Sequence, residues 1–235
     1  GVGAIWDDHD FGWNGAFGTG DGPKVLSPEK KLIARGLHMQ FRAWLRTRPL
    51  PADYPGQPSM DALLAGPDVG IEEVLDIDSV RFLMVDGRYY REKPIEYIDP
   101  YNGLPVVEPG TSSMLGESQR EWLAAQINQW PGIRIICSGS TVTGRSDAWE
   151  QYLELSWLKD QEFQRTIILS GDIHKTSSTK HKSLNGLWEL TASGAARPGI
   201  GGDSGNFGIL DISGNTIEVR LFDEDGLDKT KSIQL

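Results

Sequence analysis

The sequence is short of several things that would each announce a class of protein. It has one cysteine, Cys137, in 235 residues, which excludes an internal disulfide framework and a zinc site built from several thiolates. No apolar run approaches the ~18 residues of a membrane helix, so no membrane segment is expected. Basic residues are the minority, 23 against 33 acidic ones for a net charge of −10. That balance argues against a nucleic-acid surface, because a phosphate backbone selects clustered Lys and Arg. The start, Gly-Val-Gly-Ala-Ile-Trp, has no Met, no basic n-region and no signal-like hydrophobic stretch. A phosphate-cradling glycine loop, a nucleophile elbow and a Cys/His catalytic pair are likewise missing.

What is present reads as an ordinary globular α/β chain, with 38% hydrophobic and 24% charged residues. Residues 1–6 read as a short buried strand running into Asp7-Asp8-His9-Asp10, and the glycine-rich stretch 11–26 as a loop. Ser27-Pro28-Glu29 is a helix start, and Leu32, Ile33, Leu37, Phe41, Trp44 and Leu45 form an apolar stripe at helical spacing before Pro49. The proline-rich stretch 49–70 is expected to be loop. Residues 81–86 read as a buried strand delivering Asp86 to its end, and 92–114 as a long excursion. A second helix is expected after Gly116, then a strand over 133–137, a helix over 147–163 and a strand over 166–170. The tail reads as an antiparallel hairpin, 207–212 with 217–222, around Ser213-Gly214-Asn215. No linker divides the chain, so one domain over 1–235 is expected.

Two segments put metal-competent groups directly after a buried strand: Trp6-Asp7-Asp8-His9-Asp10 and Ser170-Gly171-Asp172-Ile173-His174. Strand ends of an open α/β sheet share one rim, where binding crevices form. Three carboxylates around one His repel unless a cation sits among them, and mixed oxygen and imidazole ligands suit Mn, Fe or Zn, or Ca and Mg where carboxylates dominate. Each segment also has a plain reading, as a solvated cap or turn. Arg88 is the best anion-binding candidate, its alternative being an ion pair with Asp86 or another acid. His38 is expected to be a surface or packing residue, His181 part of a solvated basic loop, and Cys137 a buried inert thiol.

Ala-Ile-Trp-Asp-Asp-His-Asp-Phe-Gly-Trp-Asn, Val-Asp-Gly-Arg-Tyr-Tyr-Arg, Met-Leu-Gly-Glu-Ser-Gln-Arg-Glu-Trp-Leu and Leu-Ser-Gly-Asp-Ile-His follow one another in that order. Together with Asn206-Phe207-Gly208 and the hairpin after it, they resemble the PhoD-like alkaline phosphatases (alkaline phosphatase D), a branch of the calcineurin-like metallophosphoesterases. The resemblance implies an α/β/β/α two-sheet sandwich and metal-dependent hydrolysis of phosphate mono- or diesters. It implies Asp8, Asp172 and His174 as metal ligands and His9 as the general acid, with Asp7 and Asp10 orienting it. Arg88, catalytic beside His9, and Asn14 would stand near the phosphate as substrate-binding residues, and a one-residue shift of alignment exchanges Asp7 and Asp8. The cofactors implied are divalent or mixed metal ions (Ca, Fe, Mn, Mg or Zn), the partner a phosphoester substrate. The family is often exported to the periplasm or outside the cell. Its two earlier acidic motifs have no counterpart in this chain, and Asp86, Asp147, Asp203 and His181 are substitutes without a motif. The expectation is therefore a sandwich incomplete at its N-terminal side, with a homo-oligomer or partner covering the shortened sheet. The alternative function is a non-catalytic relative that binds an anion or a partner chain.

Overall fold

The computed structural model describes residues 2–46, 58–144, 147–194 and 205–235. Short runs of branched apolar residues make the strands of the central sheet: β2 (Val80–Met84), β5 (Ile133–Cys137), β6 (Thr166–Ser170) and β8 (Leu187–Ala192) lie side by side and parallel. Antiparallel edge strands, β1 (Glu73–Ile77) and β7 (Thr176–His181), complete a six-stranded sheet of order β1-β2-β5-β6-β8-β7. Because the four inner strands are parallel, all four carboxyl ends meet on one rim.

The crossovers explain which face is covered. Helix α4 (Gly116–Gln129) joins β2 to β5, and α5 (Glu154–Lys159) joins β5 to β6. Their Leu123, Ile127 and Leu158 pack with Leu83, Ile136, Ile168 and Trp149 into one core. On the opposite face Met84, Ile135, Ile167 and Leu190 meet Ile217, Val219, Leu221 and Ile233. These last belong to a three-stranded antiparallel sheet, β9 (Phe207–Ser213), β10 (Thr216–Asp223) and β11 (Gly226–Gln234), ordered β11-β10-β9. The expected pair of packed sheets is thus present. The expected hairpin is there too, with one strand more. The second sheet turns Phe207, Asp211 and Glu218 to solvent, so the described residues form three layers, helix on sheet on sheet.

Several local expectations are corrected. Residues 2–7 form no strand; the carbonyls of Val2 and Ala4 accept instead from Arg46 Nε at 3.4 Å and Arg42 Nε at 2.7 Å. Those arginines lie on α2 (Pro28–Arg46), which starts at the expected Ser27-Pro28 signal. The side α2 buries is not its apolar stripe but His38 and Arg42, while Leu37 and Phe41 are exposed. The reason is the neighbour: an unladdered segment offers carbonyls that need donors, and the His38 ring packs 5.1 Å from Trp6. His38 is therefore a packing residue. A short helix, α3 (Met60–Leu64), capped by Ser59, lies within the proline-rich stretch, of which 49–57 fall outside the described residues. The excursion 92–114 holds a small two-stranded sheet, β3 (Glu96–Ile98) with β4 (Pro105–Val107). Over 147–163 the helix is confined to one 3₁₀ turn and α5. His181 is not in a solvated loop: it ends β7, buried, with Nε2 2.7 Å from Glu189 on β8.

Candidate functional site

Asp86, just past the end of β2, is fully buried and accepts four hydrogen bonds from the fold. Oδ1 accepts from Trp6 Nε1 at 2.7 Å and from the amides of Arg88 and Tyr89, both at 2.9 Å; Oδ2 accepts from the Ile71 amide at 2.9 Å. Asp86 thus pins a turn and is not offered to a ligand. The turn sends Arg88 back under the rim. There its Nε and Nη2 donate to Asp7 Oδ1 at 2.8 and 2.6 Å, and Nη2 also reaches Asp147 Oδ2 at 3.0 Å. Of the two readings of Arg88, the ion pair is the one formed, with Asp7 and Asp147 rather than Asp86. Burial works against the buried guanidinium's charge, but those carboxylates outweigh it and raise its pKa further. Arg91 lies beside it, wholly buried, donating to the Gly87 carbonyl at 2.6 Å and Ser140 Oγ at 2.7 Å, with Nη1 3.5 Å from Asp147. Arg91 was missed as a site residue, although the Arg-Tyr-Tyr-Arg spacing puts both guanidiniums on one side of a turn.

Asp7 precedes a single helical turn, α1 (Asp8–Phe11), and the two neighbouring aspartates have opposite fates. Asp8 is buried; its oxygens accept the amides of His9 and Gly15, each at 2.8 Å. Burial would raise its pKa, but the Gly15 amide, the charge of Arg88 and the His9 amide hold it below the usual carboxylate range. Asp7 faces the rim. Burial pushes its carboxyl up to about 6, against the pull of Arg88 and Arg91 and with the repulsion of Asp172. Asp10 accepts the Asp7 amide at 3.1 Å.

The segment after β6 is strained. Asp172 and His174 have φ of 69° and 52°, in the left-handed region that side chains other than glycine seldom adopt. The Ile173 amide donates to the Gly171 carbonyl at 2.9 Å across Asp172, the closure of a tight three-residue turn with positive φ at its centre. Such strain persists where the surroundings impose it, and it concentrates at functional sites.

A cleft of about 250 Å³ opens on this rim, walled by Asp7, Asp10, Ser138, Gly139, Asp172 and Ser193 among others. It brings Asp7, Asp10 and Asp172 together; Asp8, Arg88 and His174 are not in its wall, and His9 and Asn14 are exposed outside it. Among the described residues no three His, Cys, Asp or Glu side chains are placed to hold a metal ion. The implied metal site therefore does not fit the described residues as they stand: Asp8 accepts two backbone amides, and Asp86, Asp147 and His181 are engaged by the partners given above. Asp203 lies outside the described residues.

With this geometry in view, comparison with known proteins adds the fold's relatives. No protein-family model matches the chain, and no curated protein matches it in sequence. Among solved structures, PhoD superimposes with a TM-score of 0.55 at 17% identity, over 98% of this chain and 55% of that one. The fold is PhoD-like. At that identity the likeness is one of fold alone, and this chain spans about half the length of the PhoD structure. A Vps29 double mutant from Entamoeba histolytica overlaps 70% of the chain at 15% identity, but with a TM-score of 0.27 it adds nothing to the comparison. No helix among the described residues is long and apolar enough to cross a membrane.

Proposed function

We propose that this chain hydrolyses phosphate mono- or diesters at the carboxyl rim of β2, β5 and β6. The observation that carries the reading is the meeting of Asp7 and Asp172 in one rim cleft of a PhoD-like fold, with Asp172 held in a strained turn. In this reading the phosphoryl group sits in the cleft, water attacks phosphorus in line, and the P–O bond to the leaving group breaks. His9, exposed on α1 beside the rim, gives the departing oxygen its proton, a role that contributes roughly 10²–10⁴-fold. Arg88 acts by holding Asp7 and Asp147 in place. Metal ions (Ca, Fe, Mn, Mg or Zn) are the proposed cofactors; of the three implied ligands only Asp172 lines the cleft, so the described residues alone do not supply a coordination sphere.

The test is turnover of p-nitrophenyl phosphate and bis-p-nitrophenyl phosphate with each of these metals, beside elemental analysis of the purified chain. His9→Ala is expected to lose at least ~10²-fold in kcat with an unchanged unfolding curve; unaltered turnover refutes the assignment. A second reading, a non-catalytic domain that binds an anion or a partner chain, draws on the lack of a three-ligand cluster among the described residues. It predicts no retained metal and no turnover with any of the five.

A further inference from the structure

A second cavity, of about 360 Å³, lies between the glycine-rich loop and the excursion that carries β3 and β4. Its volume is within the range of small-molecule sites. Phe17, Val25 and Pro94 give it apolar walls. Asp147 also lines it, and Asp147 is joined through Arg88 to Asp7 in the wall of the cleft, so one ion-pair chain separates the two spaces. Gly15, another wall residue, donates its amide to Asp8, next to His9. The cavity thus borders the helical turn that carries His9.

Its charges are mostly answered internally. Glu96 lies 3.7 Å from Lys93, and Asp147 is matched by Arg88 and Arg91. Asp21 sits on the exposed loop tip. Lys24 is different: its ammonium lies over Gly15, 3.0 Å from where a side chain there would begin, and makes no ion pair with a carboxylate among the described residues. An unanswered cation beside apolar walls selects an anion on an apolar body.

We propose that this cavity receives the leaving group of the phosphoester, and that Lys24 selects leaving groups that are apolar and carry their own negative charge, such as an aryl carboxylate. The proposal rests on the hydrolase reading for its reaction but not for its binding, and the two are tested separately. For binding, 4-hydroxybenzoate titrated into the ¹⁵N-labelled chain is expected to shift the amides of Gly15, Phe17 and Val25, and to leave them unshifted in Lys24→Ala. For selection, kcat/KM is compared between phenyl phosphate and 4-carboxyphenyl phosphate. The wild type is expected to favour the carboxylate about fivefold, the size of one partly exposed ion pair. In Lys24→Ala the ratio falls to about one, and in Lys24→Glu it inverts. Lys24 is exposed, so neither change threatens folding. Shifts confined to other regions, or a carboxylate preference that survives in Lys24→Ala, overturn the proposal. If neither substrate turns over but the Lys24-dependent shifts appear, the pocket stands and the hydrolase reading falls.

Discussion

Removing Arg88 is the sharpest perturbation this structure offers. Arg88→Met keeps the buried length and deletes the guanidinium that answers Asp7 at 2.6 Å and Asp147 at 3.0 Å. Breaking a buried ion pair by removing one partner costs roughly 3–5 kcal/mol, because the other charge is left buried and unanswered. Here the orphaned carboxylates retain 25% and 21% side-chain exposure and take up water, so the lower end, about 3 kcal/mol, is expected. For a chain of this size that is a fall of ~6–12 °C in Tm. The loss should also depend on pH. In the folded wild type burial already pushes Asp7 up to about 6 from 3.8, so the folded state binds the proton more tightly than the unfolded chain. Stability then falls as pH rises through roughly 4 to 6. Without Arg88 the folded pKa rises further, extending that window above pH 6, so the gap between variant and wild type narrows on going from pH 8 to pH 5. Urea unfolding of both proteins at the two pH values measures this. A deficit under 1 kcal/mol, or one equal at both pH values, would refute the argument. Arg88→Lys keeps the charge but not the two-pronged contact and should fall between.

Two other outcomes follow from particular residues. Asp172→Gly should relax the left-handed backbone, raising stability by about 1 kcal/mol while abolishing turnover; a less stable variant in urea unfolding would mean that the turn is not strained. Burial pushes the Cys137 thiol up to about 12, so Ellman's reagent at pH 8 should label it only after denaturation, and fast labelling of the native chain contradicts the packing.

How much of this was legible in the sequence depends on where the signal is local. β5 and β6 are short apolar runs, broken in β5 only by Arg134, Ser27-Pro28 marks the start of α2, and Pro131-Gly132 follows the end of α4, so these limits could be read directly. β7 and β11 could not: Thr-Ser-Ser-Thr-Lys-His and the polar run 226–234 are edge strands, whose pairing comes from a neighbour's backbone and needs few apolar side chains. The burial of His181 has the same origin, since its partner Glu189 is supplied by the adjacent strand. Residues 2–7 failed in the opposite sense, an apolar run whose carbonyls are taken by arginines. In the site, both aspartate-bearing segments were visible, and their meeting required the parallel order of β5 and β6. Which of Asp7 and Asp8 faces the cleft was decided by the Gly15 amide, seven residues away in a loop without periodicity.

That loop is pinned at its base and open at its tip. Gly18 sits so close to Arg88 and Tyr89 that a side chain there would meet the Tyr89 carbonyl at 1.9 Å, and the amides of Gly18 and Thr19 both donate to Arg91. Asp21, three residues further on, is exposed and borders the 360 Å³ cavity. With the chain's one native thiol shut inside the sheet, a cysteine introduced at Asp21 would be the single address for a dye or spin label. Such a reporter would sit at the cavity mouth, three residues from the Gly18 anchor, and its signal would report occupancy of the cavity.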